Sequence, residues 1–151
     1  MKKLLFINTN SDDDNPLLKE IIFCYANNLF ISTIDNVNSL LMELRTSEIS
    51  CLIFDDINLG RKQIFSREET NDNRTTVLVL IKTLSQNKKF DPRKIVVKIS
   101  RPGRYFEKYR TDLFEQWKNE LISYGVLAEN IFEKPANNKK VAEVVVKILN
   151  N

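Results

Sequence analysis

Apolar residues in this chain fall into short solid runs, separated by stretches in which they recur every three or four positions. That alternation is what buried parallel strands and their covering helices produce. The first solid run, residues 4–7, predicts a strand, and residues 8–15 form a polar loop dense in turn formers. Pro16 suits the first turn of a helix whose face carries Leu18, Ile21, Ile22 and Tyr25. Residues 29–34 predict a second, β-branched strand, after which Asp35 is placed to cap a helix bearing Val37, Leu40, Leu41 and Leu44. Residues 50–54 predict a third strand ending at Asp55 and Asp56. After a polar segment over 60–74, residues 75–84 suit either a helix or a strand, and their place between strands favours a helix. Asp91-Pro92 marks a turn before residues 95–99, a continuous apolar run fitting a strand buried on both faces. Tyr105, Phe106, Tyr109, Leu113, Phe114, Trp117, Leu121 and Ile122 follow at helical spacing and stop at Gly125. Ile131-Phe132 predicts a last strand, and Val141, Val144, Val145 and Ile148 stripe a closing helix. Five strands alternating with five helices predict an α/β, doubly wound (βα)5 sandwich around a five-stranded parallel sheet.

At 151 residues and 42% apolar content, the pattern fits one domain spanning 1–151 with a continuous core. Lys plus Arg at 23 against Asp plus Glu at 20 leaves a net charge of +3, interspersed and too slight to argue for nucleic acid. Lys88, Lys89, Arg93 and Lys94 accordingly read as a solvated loop. Cys24 and Cys51 lie in apolar surroundings, which predicts two buried thiols in a reducing compartment. The amino-terminal apolar run is too short for a signal peptide and no run approaches a membrane span, so the expected location is cytoplasmic. The chain contains no histidine, which excludes histidine acid/base chemistry and most zinc sites. Any chemistry therefore falls to carboxylates, hydroxyls, amines or thiols.

Three predicted strand ends supply such groups: Asp55-Asp56 after the third, Ser100 after the fourth, and Lys134-Pro135 after the fifth. In an open parallel sheet the carboxyl ends of the strands converge on one crevice, so these residues share a candidate site. Each also has an ordinary reading, as a turn cap, a strand-end hydrogen bonder and an exposed charge respectively.

The order of these groups resembles the receiver domain of bacterial response regulators, the CheY-like family with a flavodoxin-like fold. Residues 51–60 look like its third strand, and on that alignment Asp56 is the phosphoacceptor. Val96-Val97-Lys98-Ile99-Ser100 looks like the fourth strand with its switch hydroxyl, and Phe132-Glu133-Lys134-Pro135 like the fifth, whose Lys-Pro bond the family holds cis. The resemblance implies a signalling switch and not an enzyme, with Asp56 attacking a phosphodonor while Ser100 and Lys134 hold the phosphoryl oxygens. It further implies a histidine kinase or phosphotransfer protein upstream, an output protein downstream, and a dimerisation or output face near the aromatic helix. Tyr105, Phe114 and Tyr124 are the candidates for that face.

The chain departs from the family where metal is concerned. Receivers end their first strand in an acidic pair that binds Mg2+, and here that position holds Asn8 and Thr9. The cluster Asp12, Asp13 and Asp14 either folds back to complete a Mg2+ site with Asp55 and Asp56, or is a solvated helix-entry turn. Arg101 stands where the family keeps a small residue, Ile131 where many receivers carry an aromatic, and Gly60 replaces a proline. Two outcomes follow: a divergent receiver phosphorylated at Asp56, or a pseudo-receiver acting through contacts alone. A reading from another class is a small-molecule or nucleotide-binding α/β protein using the same crevice, although only three glycines and no glycine-rich phosphate loop occur.

Overall fold

The computed structural model describes residues 1–7, 16–25, 27–57, 75–100 and 110–151. Five strands, β1 (Lys2–Ile7), β2 (Leu29–Ile34), β3 (Cys51–Phe54), β4 (Ile95–Ile99) and β5 (Ile131–Glu133), alternate with five helices. The helices are α1 (Pro16–Cys24), α2 (Val37–Thr46), α3 (Thr76–Gln86), α4 (Arg110–Ser123) and α5 (Asn138–Leu149). Every strand pair is parallel and the sheet order is β2-β1-β3-β4-β5, the flavodoxin-like arrangement. The chain steps outward from β1 to β2, then returns to the other side of β1 to lay down β3, β4 and β5. The order therefore reverses between β1 and β3, and in such sheets the crevice for ligands opens outside the carboxyl ends at that point.

Side-chain alternation divides the core. Leu5, Ile7, Leu52, Phe54, Val97 and Ile99 face one side with residues of α2, α3 and α4. Leu4, Phe6, Cys51, Ile53 and Val96 face the other with residues of α1 and α5. The central strands are thus buried on both faces, which is why they read as unbroken apolar runs.

Several local expectations need correction. On α1 the buried positions are Leu17, Ile21 and the adjoining Tyr25, while Ile22 is 60% exposed, because α5 meets the helix along a different stripe. Asn36, not Asp35, caps α2: its side chain accepts the Ser39 amide at 2.8 Å. Asn137 does the same for α5, accepting from the Lys139 and Lys140 amides at 3.0 and 3.2 Å. The aromatic helix is described from Arg110, so Tyr105, Phe106 and Tyr109 lie outside the described residues. Phe114, Trp117 and Tyr124 pack against the core, and Leu121 is fully buried, whereas Ile122 is exposed. Phe114 and Tyr124 are therefore partly buried against the core. Gly125 ends the helix at φ +104°, where a Cβ would meet Pro92 Cγ at 2.6 Å. Lys88, Lys89, Arg93 and Lys94 are all exposed, as a solvated loop requires.

The cysteines separate. Cys51 is buried in β3 and desolvation pushes its thiol far above the ordinary range; Cys24 is exposed at the end of α1, contrary to the expectation of two buried thiols. The Cys24 thiol is raised too, by desolvation and by the Glu20 carboxylate, which accepts from its Sγ at 3.7 Å. Thiolate formation requires access as well as a proton to lose. One of the two thiols is therefore expected to react with a colorimetric thiol reagent in the native protein and both after unfolding. Two native equivalents would contradict the burial of Cys51.

Candidate functional site

The ladder positions the site. Ile7 pairs with Phe54, Phe54 with Val97, and Ile99 with Glu133, so β1, β3, β4 and β5 end near one level. The pairing continues past the strands, with the Asp55 amide donating to the Ile7 carbonyl at 3.0 Å and the Lys134 amide to the Ile99 carbonyl at 2.8 Å. These bonds carry Asp55 and Lys134 to the carboxyl edge in defined register. The Ile57 carbonyl then accepts from the Val77 amide at 2.9 Å, tying the turn after β3 to the start of α3.

Ser100 meets Asp56 directly. Its hydroxyl donates to Oδ2 at 2.6 Å and its amide reaches Oδ1 at 3.5 Å, while the Ile57 amide donates to Oδ1 at 2.7 Å. Donors on both oxygens fix the rotation of the carboxylate. A hydroxyl at this distance is placed to remain hydrogen-bonded to whatever the carboxylate carries.

Asp55 has different partners. Its Oδ1 lies 3.1 Å from Lys98 Nζ, and its Oδ2 lies 3.5 Å from Lys134 Nζ. The three side chains are 17%, 11% and 26% exposed, so this is a largely enclosed charge cluster. Lys134 is thus beside the candidate site but forms its ion pair with Asp55, whereas the family resemblance places it with the phosphoryl oxygens of Asp56. The Lys134-Pro135 bond is cis, as the family resemblance implied.

Lys98 is the residue that the reading of strand ends passed over. It sits inside β4, two residues before Ser100, in a strand whose five residues are all buried. The available signal was its charge: a lysine interrupting a doubly buried apolar run must find a counter-ion, since an unpaired buried ammonium is costly. Only the fold could show that the counter-ion is Asp55, from the neighbouring strand.

Of the expected Mg2+ ligands, Asp55 and Asp56 are described, and both already hold cationic or hydrogen-bonding partners. Each Asp55 oxygen faces a lysine ammonium, and Asp56 accepts from the Ser100 hydroxyl and the Ile57 amide. Among the described residues no group of three or more His, Cys, Asp or Glu side chains converges. Asp12, Asp13, Asp14, Gly60 and Arg101 lie outside the described residues. Ile131 is buried in the core cluster on the α2–α4 face, where the family more often carries an aromatic.

Two clefts open elsewhere. One, of about 560 Å³, is lined by Met1, Lys2, Asn28 and Ser50; the other, of about 370 Å³, includes Lys94, Asn130 and Lys147. Both lie toward the amino ends of the strands, opposite the Asp55 and Asp56 edge. Among the described residues no helix is long and apolar enough to cross a membrane.

No family model and no curated protein matches the chain. Solved structures do. The chain is similar to the amino-terminal signal receiver domain of a two-component response regulator from Bacteroides fragilis, at 14% identity and a TM-score of 0.59, covering 100% of this chain and 98% of that one. It is similar to a CheY-like receiver domain protein from Methanospirillum hungatei, at 10% identity and a TM-score of 0.64, covering 99% and 94%. Against full-length FixJ from B. japonicum the identity is 11% and the TM-score 0.59, with 99% of this chain but only 58% of that protein spanned. The shared feature is the receiver-domain fold.

Proposed function

We propose that this chain, having the receiver-domain fold, acts as a divergent signal receiver whose phosphoacceptor is Asp56, with Ser100 as the switch hydroxyl. The observation that carries the reading is the 2.6 Å hydrogen bond from Ser100 to Asp56 at the adjoining carboxyl ends of β3 and β4. In the transfer, an Asp56 oxygen forms the bond to phosphorus as the bond to the donor's leaving atom breaks, and that atom departs with the electron pair. With acetyl phosphate the products are an aspartyl phosphate and acetate. The phosphoryl group adds negative charge and acceptor oxygens, and Ser100 is already placed to hydrogen-bond one of them. Lys98 and Lys134 supply positive charge at the same edge, through Asp55 in the unmodified state.

Such a site is a switch and not a turnover catalyst, because the chain itself carries the product. Its partners are a histidine kinase or phosphotransfer protein that supplies the phosphoryl group, and an output protein that reads the changed loops after β3 and β4. The reading places the chain in the cytoplasm as a single receiver-like domain over 1–151, where such kinases deliver the phosphoryl group. Intact mass after incubation with acetyl phosphate or phosphoramidate tests it. The expected result is one added phosphoryl group on the wild-type chain and none on Asp56→Ala. An unchanged gain in Asp56→Ala would reject Asp56 as acceptor, and no gain in either would reject phosphorylation in favour of signalling through contacts alone.

A further inference from the structure

We propose that Lys98 is a resident cation standing in for a divalent metal, so that this site handles a phosphoryl group without Mg2+; the proposal rests on the receiver reading above. Around the two candidate carboxylates, Asp55 and Asp56, stand two ammonium groups, Lys98 and Lys134, and both of these meet Asp55. A divalent ion is attracted to a site in proportion to the negative charge left uncompensated there. Here the negative charge of Asp55 is met by two ammonium groups. An ion approaching Asp55 meets an ammonium at 3.1 Å on one oxygen and another at 3.5 Å on the other. To ligate Asp55 it must displace both, and they remain nearby as like charges.

Lys98 is held in this role by the fold. Its backbone is part of β4, its side chain is enclosed, and its β4 neighbours Val97 and Ile99 are fixed in the opposite core. The strand therefore fixes where the side chain starts, and its 11% exposure keeps the ammonium mostly away from solvent. Asp55 balances only one of its two lysines. When Asp56 carries a phosphoryl group, the added negative charge arises next in sequence to the carboxylate that Lys98 pairs with. A cation held there does the electrostatic service that a bound metal supplies elsewhere, performed by a side chain that is always present.

The proposal predicts that thermal unfolding of the full chain is unmoved by MgCl2 or MnCl2, relative to KCl at equal ionic strength. Removing the ammonium while keeping the side chain's shape should leave more negative charge uncompensated there. Lys98→Met is thus expected to gain a saturable rise in Tm of about 2 °C or more with either metal, and Lys98→Arg to stay insensitive like the wild type. A saturable metal-dependent rise in the wild type would overturn the proposal, as would a folded Lys98→Met that ignores both metals. Should Lys98→Met not fold, the wild-type chain decides: equal phosphoryl mass gain in Mg2+ and in EDTA supports the proposal, and a gain only with Mg2+ overturns it while leaving Asp56 as acceptor intact. No gain in either condition rejects phosphorylation at Asp56, and with it this proposal, a separate result from the metal response.

Discussion

Asp55→Ala is expected to destabilise the protein by about 3 kcal/mol, the low end of the range for breaking a buried ion pair from one side. The cost is not the loss of an attraction so much as the stranding of Lys98, whose side chain is 11% exposed and is paired with Asp55. Lys134, at 26% exposure, can turn toward water, which keeps the figure from the top of the range. Urea unfolding measures it, and a double-mutant cycle with Lys98→Met separates the pair from the rest. Once the ammonium is gone, losing Asp55 should matter much less, giving a coupling of at least about 1 kcal/mol. A single-mutant loss under about 1 kcal/mol, the range of exposed pairs, would show that the cluster is open to solvent and contributes no special restraint.

Phe54→Ala is expected to cost about 3–5 kcal/mol, a large part of the roughly 5–15 kcal/mol that holds a domain of this kind together. Phe54 is fully buried in the middle strand, between Ile7 and Val97, facing the cluster formed with α2, α3 and α4. No polar group lies at risk, so the loss comes from transfer and from the cavity left behind. Because Phe54 directly precedes Asp55 and Asp56, slackening of β3 should reach the site as well. The fall in Tm should be roughly 6–20 °C at 2–4 °C per kcal/mol. A fall below about 3 °C would mean that β3 is not the packed centre of the sheet.

The meeting of the strand-end side chains was legible in the sequence because a parallel sheet brings strand carboxyl ends together whatever the details of packing. Asp56 and Ser100 needed only that rule, and they are in contact. Lys134 obeyed it less fully: its position was right, but its ion pair goes to Asp55. Which of two adjacent carboxylates an amine meets depends on the turn after β3 and on side-chain direction, neither of which one-dimensional spacing encodes. The same gap explains α1, where helical period alone allowed Ile22 to be placed inward and contact with α5 chose Leu17 instead, with Ile21 and Tyr25 buried as expected.

By itself, the order of apolar runs determined the five strands, the five helices and their parallel arrangement, because period and burial are local consequences of residue type. It also determined that any chemistry here would be done without histidine. Only the tertiary structure decided the charge balance of the site. Lys98 and Asp55 are 43 residues apart in sequence and meet because β3 and β4 are neighbours in register. A counter-ion is chosen by proximity in space and by the cost of leaving a buried charge alone, and those quantities exist only once the chain has folded.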